Sequence, residues 1–295
     1  MNAPPVCAGL LSWLGFQLPI TVPAPIWFEW IENFTGVGVT PASFDLSNQP
    51  PVPAVLSVID DSRVLVDGVD LRTFSDPDDL KAWLFLTVSD VMIARGGFTA
   101  FHAAGLIVQG QAVLVSGQPW SGKSSWAFEA HARGLDVLGD DQVCIDPLRD
   151  VVHALPRPMK RRLLAGDTTL RLSDQAVRAR LDDERIALEP RLTNGLAPVD
   201  RGYPVAIVIH LTRHSGPGVE VADMDRFAIL QAILTQIRGE PTAFLAATAS
   251  AVTMLSRLPN IRVSIGDGEI GRGLDAAVAR AIDRGSPPHG GTAVN

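Results

Sequence analysis

Apolar residues come in short bursts through the middle of the chain. Residues 99–108 read as one β-strand, Gly110 turns the chain, and residues 112–116 form a second strand. A helix-like run over 124–133 follows and stops at Gly134, and a further apolar strand starts at Val137. The period differs on either side. Ser75, Asp76, Pro77 and Asp78 open a helix running to about residue 94, with Leu80, Trp83, Leu84, Val88 and Val91 at its apolar positions and Gly96 and Gly97 at its end. Residues 56–71 read as two short strands, and residues 1–53 are rich in proline and tryptophan with weak periodicity. Downstream, 205–211 is a strand. A helix over 226–238 carries Phe227, Leu230, Ile233, Leu234 and Ile237 on one face. A helix over 242–257, a strand over 261–265 and a last helix over 275–284 complete the series. The pattern predicts an α/β (α+β) protein with a small N-terminal α+β subdomain over 1–95. A core with a mixed sheet spans 96–284, and a disordered tail spans 285–295.

The link between the second strand and its helix is spelled Gly117, Gln118, Pro119, Trp120, Ser121, Gly122, Lys123, Ser124. This is the G-x-x-x-x-G-K-[ST] phosphate loop (Walker A) in its required strand–loop–helix setting. The glycines let backbone amides point at phosphate oxygens, and the helix N-terminus adds partial positive charge there. Lys123 sets a full cation on the outer phosphates, and Ser124 offers a hydroxyl to Mg²⁺. The ATP-binding set runs from Gly117 through Ser125. Trp120 and Trp126 lie near the nucleotide, where Trp120 covers phosphates or base, or else packs.

Past the helix, the strand from Val137 delivers Asp140 and Asp141 beside the loop. Adjacent strand residues face opposite ways, so one carboxylate meets the nucleotide while the other turns to Mg²⁺ or a structural partner. His102 sits on the strand next to the loop's own. His131, His210 and His214 receive no role from the sequence.

Charge changes the picture at one place. The chain of 295 residues carries a net charge of −7, with 46% apolar and 19% charged residues. An acidic balance argues against nonspecific nucleic-acid binding. Yet Arg157, Lys160, Arg161 and Arg162 crowd a short segment that starts at Pro156 and holds Pro158. That segment is either a solvated face or an anion site for the phosphoryl group or an acidic acceptor, with Arg157 and Lys160 as its candidates. Two cysteines, Cys7 and Cys144, give neither a disulfide framework nor a zinc pattern. The apolar run over 8–20 lacks a cationic leader and a cleavage site, and no stretch is long enough to span a bilayer. A cytoplasmic protein with no membrane partner is expected, and a homo-oligomer is compatible with all of this.

His102, the loop 117–124 and the Asp140–Asp141 pair, in this order and spacing, resemble the HPr kinase family. Gly139, Asp140 and Asp141 are also similar to the Gly-Asp-Asp run of ATP-dependent phosphoenolpyruvate carboxykinases. The match covers residues 98–147. It implies a core like the HPr kinase C-terminal domain and the cofactors ATP and Mg²⁺. It implies that Asp141 takes the proton of an acceptor serine, Lys123 holds phosphates, Ser124 serves the metal, and His102 is an active-site residue; Asp140 is expected to serve the metal, directly or through water, with the roles of the two aspartates open to exchange. The Glu-Ile-Arg-Gly-Leu-Gly signature of the bifunctional kinase/phosphorylases is missing, and with it a metal carboxylate; Glu184 and Glu189 are the replacements at hand. In length and in its basic, proline-containing segment the chain looks like the divergent stand-alone kinases of peptide-modification clusters, some of which act on the C-terminal serine of lasso-peptide precursors. The expectation is a serine kinase for a peptide or small protein. The alternative is a nucleotide-binding regulatory module without transfer, and a small-acid carboxykinase comes third.

Overall fold

Alternating burial turns the N-terminal apolar run into a hairpin. Leu11, Trp13, Leu18 and Ile20 point into a core, and the chain reverses at Leu14 and Gly15, both at positive φ. A computed structural model describes residues 7–41, 56–60, 62–163, 172–238 and 244–285. The tail expected to be disordered, beyond Gly285, and the first residues of the helix expected from 242 lie outside that set.

The chain opens with β1 (Cys7–Trp13), β2 (Phe16–Val22), α1 (Ile26–Thr35), β3 (Val39–Pro41), β4 (Leu56–Asp60), β5 (Arg63–Val66), β6 (Val69–Thr73) and α2 (Pro77–Gly96). The middle holds β7 (Thr99–Phe101), β8 (Ala103–Val108), β9 (Gln111–Gly117), α3 (Lys123–Ala132), β10 (Val137–Gly139), β11 (Val143–Asp146) and β12 (Val151–Ala154). Then come β13 (Met159–Arg162), β14 (Val177–Leu181), β15 (Glu184–Glu189), β16 (Gly202–Arg213) and β17 (Val219–Asp223). The chain ends with α4 (Arg226–Leu234), β18 (Ile237–Arg238), α5 (Phe244–Arg257), β19 (Asn260–Ile265) and α6 (Ile270–Gly285). The class is mixed α/β, with helices and several sheets.

Two compact units result. The first comprises Met1–Gly97 and Leu155–Asp200, the second Phe98–Ala154 and Arg201–Asn295. This corrects the expectation of one uninterrupted core from residue 96, because Leu155–Asp200 returns to the first unit.

In the first unit the strands run β3-β1-β2-β4-β5-β6, antiparallel except for the parallel pair β2–β4. Helix α2 starts as its sequence dictates: Asp76 caps it by accepting from the Asp78 amide, and Pro77 takes the first turn. Gly97 ends it in the left-handed region. Phe34 of α1 stacks on Phe85 of α2 with centroids 4.4 Å apart. The returning segment forms the three-stranded sheet β13-β15-β14. It is tied to the N-terminal part by Trp13 Nε1 donating to Val199 O at 2.9 Å and by the Arg180 amide donating to Asp79 Oδ1 at 2.6 Å. Three strands, not two, occupy the stretch from Leu56 to Thr73.

The second unit is built around β16. Its start pairs with β12, which leads through β11 and β7 to β18; its later residues lie parallel to both β9 and β19. Strands β8 and β10 extend the sheet beyond β9, and β17 pairs with β19. Helix α3 packs on β8 and on α6, while α5 packs on β7 and α4. Two expectations change here. The helix from Arg226 stops at Leu234, because Ile237 and Arg238 pair with Phe101 and Ala100 as an edge strand. Its expected apolar face is not buried as a whole: Phe227 is 77% and Leu234 57% exposed, while Ile233 is buried. The last helix begins at Ile270, five residues before the sequence suggests. Among the described residues no helix is long and apolar enough to cross a membrane.

Candidate functional site

Strand β9 lies parallel to β16 with Gly117 opposite Leu211, and there the chain must leave the sheet. A Cβ on Gly117 would stand 2.4 Å from Leu211 O and 2.8 Å from Ser121 Oγ, so only glycine fits. Gln118, Pro119 and Trp120 are exposed; Trp120 holds φ 69° and is 69% exposed. Gly122 then opens α3 at φ 106° and has no side chain to cap the first-turn amides. Lys123 folds back into the loop, its Nζ donating to Gly117 O at 2.9 Å and Gln118 O at 3.2 Å. Ser121 is 5% exposed, and among the described residues its Oγ has no hydrogen-bond partner. Ser125 is exposed at the helix start. Trp126 is fully buried on the same helix, and a Cβ on Gly273 of α6 would meet its ring at 2.9 Å. It is a core residue, not a nucleotide contact.

The residues 99–108 are not one strand. They break at His102 into β7 and β8, and the chain antiparallel to them breaks at Asp140, Asp141 and Gln142, between β10 and β11. Register explains why the breaks meet: Gly105 pairs with Gly139 on one side and Phe101 with Val143 on the other. His102 therefore faces the aspartates, its Nε2 2.9 Å from Asp141 Oδ1. Its amide donates to Gln236 O at 2.8 Å, which fixes the backbone in the gap. Asp140 is 3% exposed while Asp141 stays partly open, so the two neighbours do face different surroundings. Ser124 Oγ lies 3.5 Å from Asp140 O, joining the start of α3 to the aspartate segment. His102, Asp140, Asp141, Lys123, Ser124 and the rest of the loop are thus assembled within one unit.

A buried chain that the sequence did not reveal supports the base of the loop. Ser116, the residue before Gly117, has its Oγ 2.8 Å from His210 Nδ1, and His210 Nε2 is 2.9 Å from Asn260 Oδ1. Asn260 Nδ2 spends both protons on Leu255 O and Leu258 O. Its Oδ1 is then the acceptor, so Nε2 of His210 carries the proton and Nδ1 accepts from Ser116. Burial lowers the His210 pKa below the ordinary 6.5, the bond to Asn260 acts the other way, and Arg262 lowers it further. No local pattern marks His210; only the parallel register of β9 and β16, which sets it opposite Ser116, gives it a place.

Arg157 and Lys160 belong to the first unit. Arg157 is buried, and its carbonyl accepts from Arg191 Nη1 at 3.3 Å. Lys160 sits in β13 opposite Leu188. Both reserve carboxylates are engaged there as well. Glu184 pairs with Arg162 at 2.9 Å, and Glu189 accepts from Ser173 and Asn194. Among the described residues no three His, Cys, Asp or Glu group to hold a metal. His131 is half-buried on α3, and His214 follows β16 with Nδ1 3.2 Å from Ser215 O. Cys144 is buried, and burial pushes its thiol pKa far up, away from nucleophilic chemistry.

No family model matches the sequence, and no curated protein matches it. Among solved structures the chain is similar to the HPr(Ser) kinase/phosphatase from Coxiella burnetii, over 62% of this chain and 90% of that one, at 14% identity and a TM-score of 0.31.

Proposed function

We propose that the chain is an ATP-dependent serine kinase of the HPr kinase type, with a peptide or small protein as acceptor. The C-terminal serine of a ribosomal peptide precursor is the first acceptor to test. The observation that carries this reading is the joining of two halves of the chemistry in one unit. The phosphate loop reaches the Asp140–Asp141 segment through Ser124, and Asp141 is held by His102 at 2.9 Å.

In this reading the loop amides and Lys123 bind the nucleotide phosphates of ATP. Ser124 and Asp140 supply hard oxygen ligands of the kind Mg²⁺ takes, and the ion neutralises charge on the phosphates when bound. Asp141 is the base. It accepts the proton of the acceptor hydroxyl as the oxygen forms its bond to the γ-phosphorus and the bond to ADP breaks. His102 orients Asp141. Transfer runs without phosphate-dependent dephosphorylation of the product.

The test is incubation of the purified chain with radiolabelled ATP and precursor peptides. Label on a serine supports the kinase. Tight MgATP binding with no transfer to any peptide or protein acceptor favours the regulatory module instead.

A further inference from the structure

The second unit carries a cation at the phosphate loop that the motif does not include. Arg213 is the last residue of β16, two positions beyond Leu211, which faces Gly117. In a sheet of this kind ligands sit past the carboxyl ends of parallel strands. Arg213 stands at such an end, beside the strand that delivers the loop. Its Nε donates to Ser121 O at 3.3 Å. Its Nη2 lies 3.1 Å from the point a Cβ on Gly122 would occupy. The guanidinium is thus laid against the loop backbone at the open N-terminus of α3.

Two further facts point to an anion. Arg213 is exposed and, among the described residues, pairs with no carboxylate. A guanidinium has five N–H donors, and one bond to Ser121 O leaves both terminal NH₂ groups to bind. Their fork matches two oxygens of one phosphate. The second fact is Ser121 Oγ, buried, without a hydrogen-bond partner among the described residues, and 2.8 Å from where a Cβ on Gly117 would be, which places it inside the loop. A buried hydroxyl left unpaired is costly, and a phosphate oxygen would satisfy it.

We infer that Arg213 is a phosphate-contacting residue of the nucleotide site, preset by its bond to Ser121 O, with Ser121 Oγ as a second donor. This rests on the nucleotide reading of the loop. The competing role is a brace that only holds the loop. Glutamine separates the two. Its Nε2 occupies the position of the arginine Nε, so Arg213→Gln keeps the bond to Ser121 O and removes the charged fork.

The experiment is calorimetry of MgATP and of magnesium tripolyphosphate on the full chain, for wild type, Arg213→Ala, Arg213→Gln and Ser121→Ala, with thermal melts beside it. Both Arg213 variants should bind either probe about tenfold more weakly, a loss of about 1.4 kcal/mol. Ser121→Ala should lose less. Glutamine restoring wild-type affinity shows a brace and overturns the inference. Equal affinity in wild type and Arg213→Ala overturns it too, while leaving the loop reading intact. A wild type that binds neither probe overturns both.

Discussion

His102 Nε2 stands 2.9 Å from Asp141 Oδ1, across two strand breaks that face each other. Each side chain is roughly a quarter exposed, and the contact fixes the two side chains relative to each other. Asp141→Asn keeps the shape and removes the carboxylate that the kinase reading makes the base. MgATP affinity should stay near normal while transfer falls by about 10²-fold or more. Single-turnover kinetics with a peptide acceptor checks this, and wild-type transfer by the variant would sink the assignment. His102→Asn should lower kcat less than Asp141→Asn, since the carboxylate remains.

Gly117→Ala tests the loop without touching a charge. The new methyl would lie 2.4 Å from Leu211 O, so either the loop or β16 must shift. An overpacked site of this kind costs about 1–3 kcal/mol. The melt should fall accordingly and MgATP affinity should drop more than tenfold. Lys123→Ala should abolish transfer and weaken MgATP with a smaller change in the melt. Unchanged ATP binding in both variants would remove the loop from the chemistry.

His210 predicts a pH dependence. Its folded pKa is lowered, by burial first, so the unfolded chain takes up a proton that the folded chain refuses. Above about pH 6.5 both states are neutral and nothing is lost. As pH falls below that value stability declines, by at most about 1.4 kcal/mol per pH unit, until the folded-state value is reached. Protonation would also set a proton on Nδ1, facing Ser116. Urea melts at pH 8 and pH 5.5 should therefore differ less in His210→Gln than in wild type. An equal difference in the two proteins would remove His210 as a source of acid sensitivity.

Lys160 is the cleaner probe of the basic segment. Arg157 is buried and its alanine variant carries a folding cost, whereas Lys160 is only half-buried in β13. If the segment receives the acceptor or its phosphoryl group, Lys160→Ala should lower kcat/KM about tenfold, about 1.4 kcal/mol. Wild-type kinetics would make it a solvated face.

The strand–loop–helix over 111–132 was legible, because Gly117, Gly122, Lys123 and Ser124 stand at a fixed spacing that calls for a strand before and a helix after. The break at His102 was not, because the residues around it form an unbroken apolar run and only the partner register reveals the gap. Ile237 fits a helical face as well as an edge strand, and its pairing with Phe101 decided the matter. Trp126 was drawn toward the nucleotide by its closeness in sequence to Lys123, but helical geometry turns it into the core. Arg213 and His210 lie about ninety residues after the loop and meet it through the β9–β16 pairing. Local patterns carry no trace of such a meeting.

The return of Leu155–Asp200 to the first unit also sets an order of events during synthesis. The bond from the Trp13 indole to Val199 O cannot form until Val199, 186 residues later, has been made. At ordinary ribosomal speeds of 5–20 residues per second that delay is roughly 10–40 s. Until then the faces that Ile186 and Leu188 will help to close have no cover from that segment. Long-range closure of this sort slows folding and leaves a nascent chain exposed to aggregation. A fragment begun at Phe98 would inherit the opposite problem, carrying strands β13 to β15 away from the N-terminal part they were made to complete.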